Sequence, residues 1–232
     1  MIGTIVNTCT IVVGTLAGVV LHKGIKEKYK NVLYDALGLA CFGIGLNAVV
    51  TNLPKSQYPV LFIAAMAIGS VAGVALDING RFKRLVNRLE KKQDDEGSGN
   101  LADGLATATL IYCIGPLSML GPVISALKGD HTFLFTNATL DLVTATVFGS
   151  TYGIGMLLAA PVLFLWQGLF YSVAMLSSSA VSEALMAEQL IVGGLLITAS
   201  GLSLLRIRDL QVLNMLPALL VPPLWFALMS FF

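Results

Sequence analysis

Charged side chains are scarce in this sequence. Asp, Glu, Lys and Arg make up 12% of the 232 residues and hydrophobic residues make up 56%, whereas about a quarter of the residues in a soluble domain are charged. A chain of this composition cannot bury all its apolar surface in one core surrounded by water. The net charge of +1 gives no general attraction to nucleic acid, so we expect no nucleic-acid partner.

Cysteine and histidine are also rare. Cys9, Cys41 and Cys113 all lie in apolar segments without C-x-x-C spacing, which argues against a disulfide framework and a thiolate metal site. His22 and His131 fall in separate polar connections, and no G-x-S-x-G, H-E-x-x-H, P-loop or Rossmann pattern is present. We therefore predict no enzyme activity, no metal and no cofactor.

The basic residues are concentrated in a few connections. Twelve of the fourteen Lys and Arg residues lie in Lys23–Lys30, Arg81–Lys92 and Arg206–Arg208, and only Lys55 and Lys128 stand alone. Basic residues close to the end of a membrane span remain in the cytoplasm. The three clusters are therefore predicted inside and both termini outside, in a multi-pass protein.

Long apolar runs separate these connections. A helix needs ~20 residues to cross the ~30 Å hydrocarbon layer, and only helices or closed barrels satisfy every backbone group there. The first run begins at Met1 with no preceding Lys or Arg, so we interpret it as a span and not as a cleaved signal peptide. The prediction is an all-α bundle of about eight spans: 2–21, 34–50, 59–76, 105–127, 140–158, 162–176, 188–205 and 212–232.

Polar composition suggests a division of the chain. Residues 81–92 have the pattern of a basic amphipathic helix lying on the inner leaflet, and the run 93–100 contains DDE followed by GSG, which is typical of a flexible cytoplasmic linker. A partner-binding arm is the alternative for this run. The predicted parts are 1–92 with three spans, the linker 93–100, and 101–232 with five spans.

Internal similarity favours an inverted repeat. Span 2 contains ALGLACFGIGLNAVV and span 7 contains LIVGGLLITASGLSLL, two ladders of small residues that the charge topology orients in opposite directions. Spans 1–3 are therefore predicted to be inverted copies of spans 6–8, with spans 4 and 5 broken. Transporters built from such repeats bind their substrates near mid-membrane at the repeat interface.

Few polar residues lie within the predicted spans. Span 1 has a small and polar face that includes Asn7, Thr10 and a G-x-x-x-G pair at Gly14 and Gly18, and close helix packing explains most of this face. Packing alone would not require Asn7. Gln167 in span 6 is far from any predicted helix end, so its amide must be satisfied by protein, water or solute. Both are candidate binding residues.

Spans 4 and 5 supply the other candidates. Asp141 either caps the start of its helix or couples to a proton or Na⁺, because a buried carboxylate needs neutralisation. Gly115-Pro116 and Gly153 interrupt their helices and would free backbone carbonyls, unless the kinks are simply packed. The full candidate binding set for a solute or ion is Asn7, Thr10, Cys113, Gly115, Asp141, Thr144, Thr151, Gly153 and Gln167.

Long stretches of the chain resemble a known family. The stretches GTIVNTCTIVVGTLAGVVL, CIGPLSMLGPV, TLDLVTATVFGSTYGIGMLLAAPVLFLWQG and VGGLLITASGLSLLRIRDLQVLNMLPALLV are similar to the YqgA/YdfK-like bacterial inner-membrane proteins, domain of unknown function 554. The resemblance implies a bacterial cytoplasmic-membrane protein without assigning an activity. Ser203 stands where Asn would be expected.

The sequence thus predicts a transporter of a small solute or ion that works by alternating access. The expected partners are the lipid bilayer, the solute or ion, and a coupling proton or Na⁺. A passive channel is one alternative. A membrane scaffold that uses its glycine faces to form a homo-oligomer is another. A transporter requires a closed polar cavity, a channel a continuous wet path, and a scaffold a dry interior.

Overall fold

The described structure is helical. The computed structural model describes residues 1–21, 27–82, 84, 108–109, 112–113, 115–176, 182–208 and 210–230. Their helices are α1 Ile2–Leu21, α2 Glu27–Asn52, α3 Leu61–Ala75, α4 Pro116–Lys128, α5 Thr132–Tyr152, α6 Ala159–Leu176, α7 Glu183–Leu204, α8 Val212–Met215 and α9 Val221–Met229. Short 3₁₀ segments cover Leu53–Lys55, Ile154–Leu158 and Leu216–Leu220.

The apolar helices confirm a membrane protein, but the eight-span prediction is not confirmed. Within the described residues, five segments are long and apolar enough to cross a bilayer: Ile2–Leu21, Asp35–Lys55, Ile154–Leu176, Glu183–Leu204 and Val212–Met229. Leu61–Ala75 is apolar but shorter. Large side chains such as Val20, Val71 and Leu165 are 77%, 71% and 70% exposed, which suits contact with lipid better than contact with water.

The predicted boundaries of spans 5 and 6 are wrong. Helix α5 starts at Thr132 and ends at Tyr152, and Ala159–Pro161 forms the first turn of α6 instead of a connection. The chain changes direction at Gly153, whose φ of 78° is readily adopted only by glycine. A 3₁₀ segment, Ile154–Leu158, then leads directly into α6.

The predicted break in span 4 is confirmed. Gly115 has an extended backbone (φ −159°, ψ 154°) and Pro116 is the first residue of α4, a position that proline favours because it lacks an N–H. Residues 108–109 and 112–113 before the break are helical. Helix α4 then continues through Gly121 and Pro122 to Lys128.

The chain forms two compact units, and each contains two chain segments. The first unit comprises Met1–Tyr34 and Lys83–Leu176, and the second comprises Asp35–Phe82 and Ser177–Phe232. The two units therefore interleave along the sequence. The predicted division into 1–92 and 101–232 concerns repeats and not compact units, and it stays a prediction. The linker 93–100 lies outside the described residues, as does the predicted amphipathic helix apart from 81–82 and 84.

Helices α1 and α5 form the main pair of the first unit. Gly3 packs on Leu134, Gly14 on Leu142–Thr146 and Gly18 on Thr146–Ser150. In these contacts the residue numbers increase in the same direction along both helices, so the two helices run parallel. A Cβ at Gly14 would lie 2.6 Å from the Leu142 carbonyl oxygen and 2.9 Å from the Ala145 Cβ. The small face predicted on span 1 thus permits backbone contact with α5.

In the second unit, glycines bring antiparallel helices together. Gly38 of α2 packs against Gly201 of α7, and Gly45 packs against Gly194. Gly69 and Gly73 of α3 similarly pack against residues 218 and 214. The G-x-x-x-G pairs Gly14/Gly18 and Gly69/Gly73 are therefore used for packing within a unit.

Candidate functional site

A buried carboxyl lies at the centre of the first unit. Asp141 is near the middle of the 21-residue helix α5 and is 5% exposed. Helix α5 begins at Thr132, nine residues before Asp141. Helix-start capping is thereby excluded, since capping involves the first turn only.

No opposite charge accompanies this carboxyl along the helices that surround it. In α1, α4, α5 and α6, Asp141 is the only acidic residue, and the only basic residue is the exposed Lys128 at the end of α4. A charged carboxylate in such surroundings costs several kcal/mol unless hydrogen bonds, a proton or a cation compensate it. Asp141 therefore needs partners at this position.

Two amides lie next to Asp141, and a thiol is close enough to sense its charge. Asn137, one turn earlier on α5, donates from Nδ2 to Oδ2 of Asp141 at 2.9 Å. Asn7 of α1 lies beside the carboxyl, to which its amide can donate. Cys113, just before the break at Gly115, also lies close to Asp141. The parallel α1–α5 contact is what brings Asn7 to this position.

Gln167 forms a second polar pair in the same unit. It is fully buried near the middle of α6 and donates from Nε2 to Oγ of Ser118 at 3.3 Å. Its Oε1 has no partner among the described residues. Ser118 lies in the first turn of α4, immediately after the Gly115 break, where the backbone N–H groups have no partner within the helix.

We call Asn7, Asn137, Asp141, Ser118 and Gln167 the polar interior of the first unit. Its members come from four helices and all are buried. Sequence reasoning identified Asn7, Asp141 and Gln167, and it missed Asn137 and Ser118. Asn137 could have been found, because residues four apart share a helix face and this spacing separates it from Asp141. Ser118 had no comparable signal.

The predicted threonines contribute less. Thr10 donates to the Asn7 carbonyl at 2.7 Å, Thr144 to the Leu140 carbonyl at 3.0 Å, and Thr151 to the Val147 carbonyl at 3.0 Å while remaining exposed. Each hydroxyl thus bonds to its own helix. These bonds leave the hydroxyls little capacity to donate to a ligand.

The carbonyls at the two breaks are also partly occupied. The Gly115 carbonyl accepts from the Met119 N–H at 3.2 Å, and the Gly153 carbonyl accepts from the Met156 N–H at 3.3 Å. A carbonyl oxygen has two lone pairs, so each retains one acceptor position. The breaks shape the ends of α4 and α5 but do not present wholly free carbonyls.

The polar interior has the groups to bind a small polar solute or a cation. It includes one carboxyl beside the Asn7 amide and, in the separate pair with Ser118, an unused amide acceptor on Gln167. Within the described residues, no group of three His, Cys, Asp or Glu side chains could hold a metal ion. Hydrogen bonding to a solute, together with charge compensation at Asp141, is the chemistry that the arrangement allows.

Comparison with known proteins gives matches over almost the whole chain. Residues 2–227 match the family described as protein of unknown function (DUF554). The uncharacterized membrane protein YdfK of Bacillus subtilis (strain 168) is 48% identical over 223 residues, covering 96% of this chain and 94% of YdfK. The uncharacterized protein YqgA of Escherichia coli (strain K12) is 27% identical over 224 residues, covering 95% of this chain and 94% of YqgA. No solved structure matches significantly.

Proposed function

We propose that this chain, which belongs to the DUF554 family, transports a small solute or ion across the bacterial inner membrane by alternating access. In this proposal the polar interior of the first unit binds the transported species, and Asp141 carries a coupling proton or Na⁺. The membrane part of the statement rests on the apolar helices and on the family resemblance, which the match over residues 2–227 confirms. Transport and the orientation with both termini outside are proposals.

One observation carries the proposal. A carboxyl that is 5% exposed in the middle of an apolar helix pair, with amides as its neighbours and no basic side chain beside it, is costly for folding. Such residues within membrane spans are typical of ion and proton pathways. A protein that only needed to pack α1 against α5 would be more stable with apolar side chains at these positions.

The burial of the polar interior favours a transporter over a passive channel. Asn7 and Gln167 are fully buried, and Ser118 is 1% exposed. These atoms are therefore closed off in the described structure, as in the occluded state of an alternating-access cycle. A channel at this position would instead require a water-filled path past the same side chains.

The use of the glycine faces favours a transporter over a scaffold. A scaffold that oligomerises through small residues needs those faces directed outward. Gly14 and Gly18 pack against α5, and Gly69 and Gly73 pack against residues 214–218, so both faces are occupied within their own units. Homo-oligomerisation would have to use other surfaces.

Cys113 provides a direct test because its thiol is near enough to Asp141 to sense its charge and is 6% exposed. With Cys9 and Cys41 replaced by Ala, membrane-impermeant thiol reagents would be applied from each side of oriented vesicles. We expect Cys113 to react from either side, with the reactive side changing according to the direction of a Na⁺ or proton gradient. Mass spectrometry of the intact protein measures the labelling.

The competing functions give different labelling patterns. A channel predicts simultaneous reaction from both sides whatever the gradient. Absence of labelling under all gradients, while a cysteine introduced at the exposed Asp130 reacts normally, would leave the scaffold as the better explanation.

A further inference from the structure

A second buried carboxyl lies in the second unit. Glu188, near the start of α7, is fully buried, and together with Asp141 it makes up the buried acidic residues of the described chain. Its Oε1 accepts from the Ser56 hydroxyl at 2.6 Å and from the Tyr58 N–H at 2.9 Å. Ser56 and Tyr58 belong to the connection between α2 and α3. We call these three residues the Glu188 clasp.

Attachment of the connection to α7 explains only one of the two carboxyl oxygens of Glu188. Both hydrogen bonds use Oε1, and Oε2 is buried without a partner in the part of the chain that is described. A glutamine would accept the same two hydrogen bonds without burying a charge. A bare carboxylate oxygen in apolar surroundings costs several kcal/mol, so Oε2 requires a positive charge or a proton.

The neighbouring elements do not provide that charge. Lys55, at the 3₁₀ turn before the connection, is exposed and forms no salt bridge with Glu188 among the described residues. Glu183, at the start of α7, is also exposed and is itself an acid. Within the second unit, the connection and α2 add Tyr58, Asp35 and Cys41, and the earlier turns of α2, up to Tyr34, belong to the first unit. Helices α3, α8 and α9 and the segment Leu216–Leu220 carry no titratable side chain.

We infer that the Glu188 clasp is a second cation site, distinct from the polar interior, in which Oε2 binds a proton or a small alkali cation such as Na⁺. The bound charge compensates Oε2, and the connection around Ser56 and Tyr58 closes the site. When the cation leaves or enters, the carboxylate changes the strength of the two hydrogen bonds at Oε1, because charge-assisted hydrogen bonds are about twice as strong as neutral ones.

The clasp has a natural fluorescent reporter. The Tyr58 ring contacts the Trp225 ring edge-to-face, with centroids 5.8 Å apart and an interplanar angle of 81°. Tyr58, Val221 and Trp225 also line a cavity of about 470 Å³, so the indole has room to respond to a shift of the connection. Replacing Trp166, the other tryptophan, with Phe leaves Trp225 as the only source of tryptophan emission.

The test titrates purified protein that carries Trp166→Phe, in detergent. NaCl is added at constant ionic strength with choline chloride as the balancing salt, and pH is varied separately at fixed Na⁺. We expect a saturable change in Trp225 emission in at least one titration. Response to Na⁺ alone identifies an alkali cation, response to pH alone identifies a proton, and mutual competition shows that both share Oε2.

The response should disappear in Glu188→Gln and persist in Glu183→Gln, which removes an exposed charge from the same helix. An unchanged response in Glu188→Gln overturns the inference, as does the absence of any Na⁺ or pH response in the protein with native Glu188. The second outcome needs no Glu188 variant, so the inference can be tested even if Glu188→Gln folds poorly.

Discussion

Replacing Asp141 with Asn should abolish ion-coupled flux while leaving the protein folded in the membrane. Asn has nearly the same shape and keeps an acceptor for the Nδ2 group of Asn137, which lies 2.9 Å from the carboxyl, but it can bind neither a proton nor a cation by charge. Removal of a buried carboxyl without a basic partner should leave the melting temperature unchanged or raise it.

The flux is measured in proteoliposomes as uptake of radioactive sodium and, separately, as acidification reported by an enclosed dye. We expect flux to fall to the level of empty liposomes. Asp130→Asn, which removes an exposed acid from the connection before α5, is the matched control and should retain full flux. Native ion flux in Asp141→Asn would exclude the carboxyl from the mechanism.

Replacing Gly14 with Leu should prevent the first unit from assembling. The new Cβ would lie 2.6 Å from the Leu142 carbonyl oxygen and 2.9 Å from the Ala145 Cβ, so α1 and α5 would have to separate along their contact. Overpacking typically costs about 1–3 kcal/mol and sometimes more. A loss of that size lowers cellular abundance several-fold, and separation of α1 would also remove Asn7 from Asp141.

Abundance in the membrane and the melting temperature in detergent measure this effect. Gly43→Leu is the matched control, because a Cβ at Gly43 would have no atom within 4 Å. We expect the control to be as abundant as the parent protein. If Gly14→Leu matches the control in both measurements, the parallel α1–α5 contact is not what holds the first unit together.

The local features that the sequence predicted correctly have local causes. The break at Gly115-Pro116 follows from the missing N–H of proline, and the small faces follow from glycine spacing. The start of α5 was missed because its first turns are rich in threonine, which lowers hydropathy. In the structure Thr136 and Thr139 donate to the carbonyls four residues earlier, each at 2.9 Å, so their hydroxyls are satisfied within the helix.

Features that depend on contacts between residues far apart in the sequence were harder to predict from the sequence. The interleaving of the two units depends on which helices pair, and local periodicity does not determine that. Glu188 was interpreted as the edge of a span because its partners lie far away in sequence, with Ser56 separated from it by 132 positions. Asn7, Asp141 and Gln167 were identified because a polar group inside an apolar helix requires a partner wherever that partner lies.

The parallel pair of α1 and α5 has a consequence for biosynthesis. Helix α1 leaves the ribosome well before its partner, which begins only at Thr132, and at usual elongation rates the intervening roughly 110 residues take on the order of ten seconds to make. During that interval α1 must be inserted while the glycine face and Asn7 are still unpaired. The orientation of α1 is therefore chosen before the contact that stabilises it exists, and a nascent chain arrested ahead of Thr132 would leave α1 exposed to quality-control proteases.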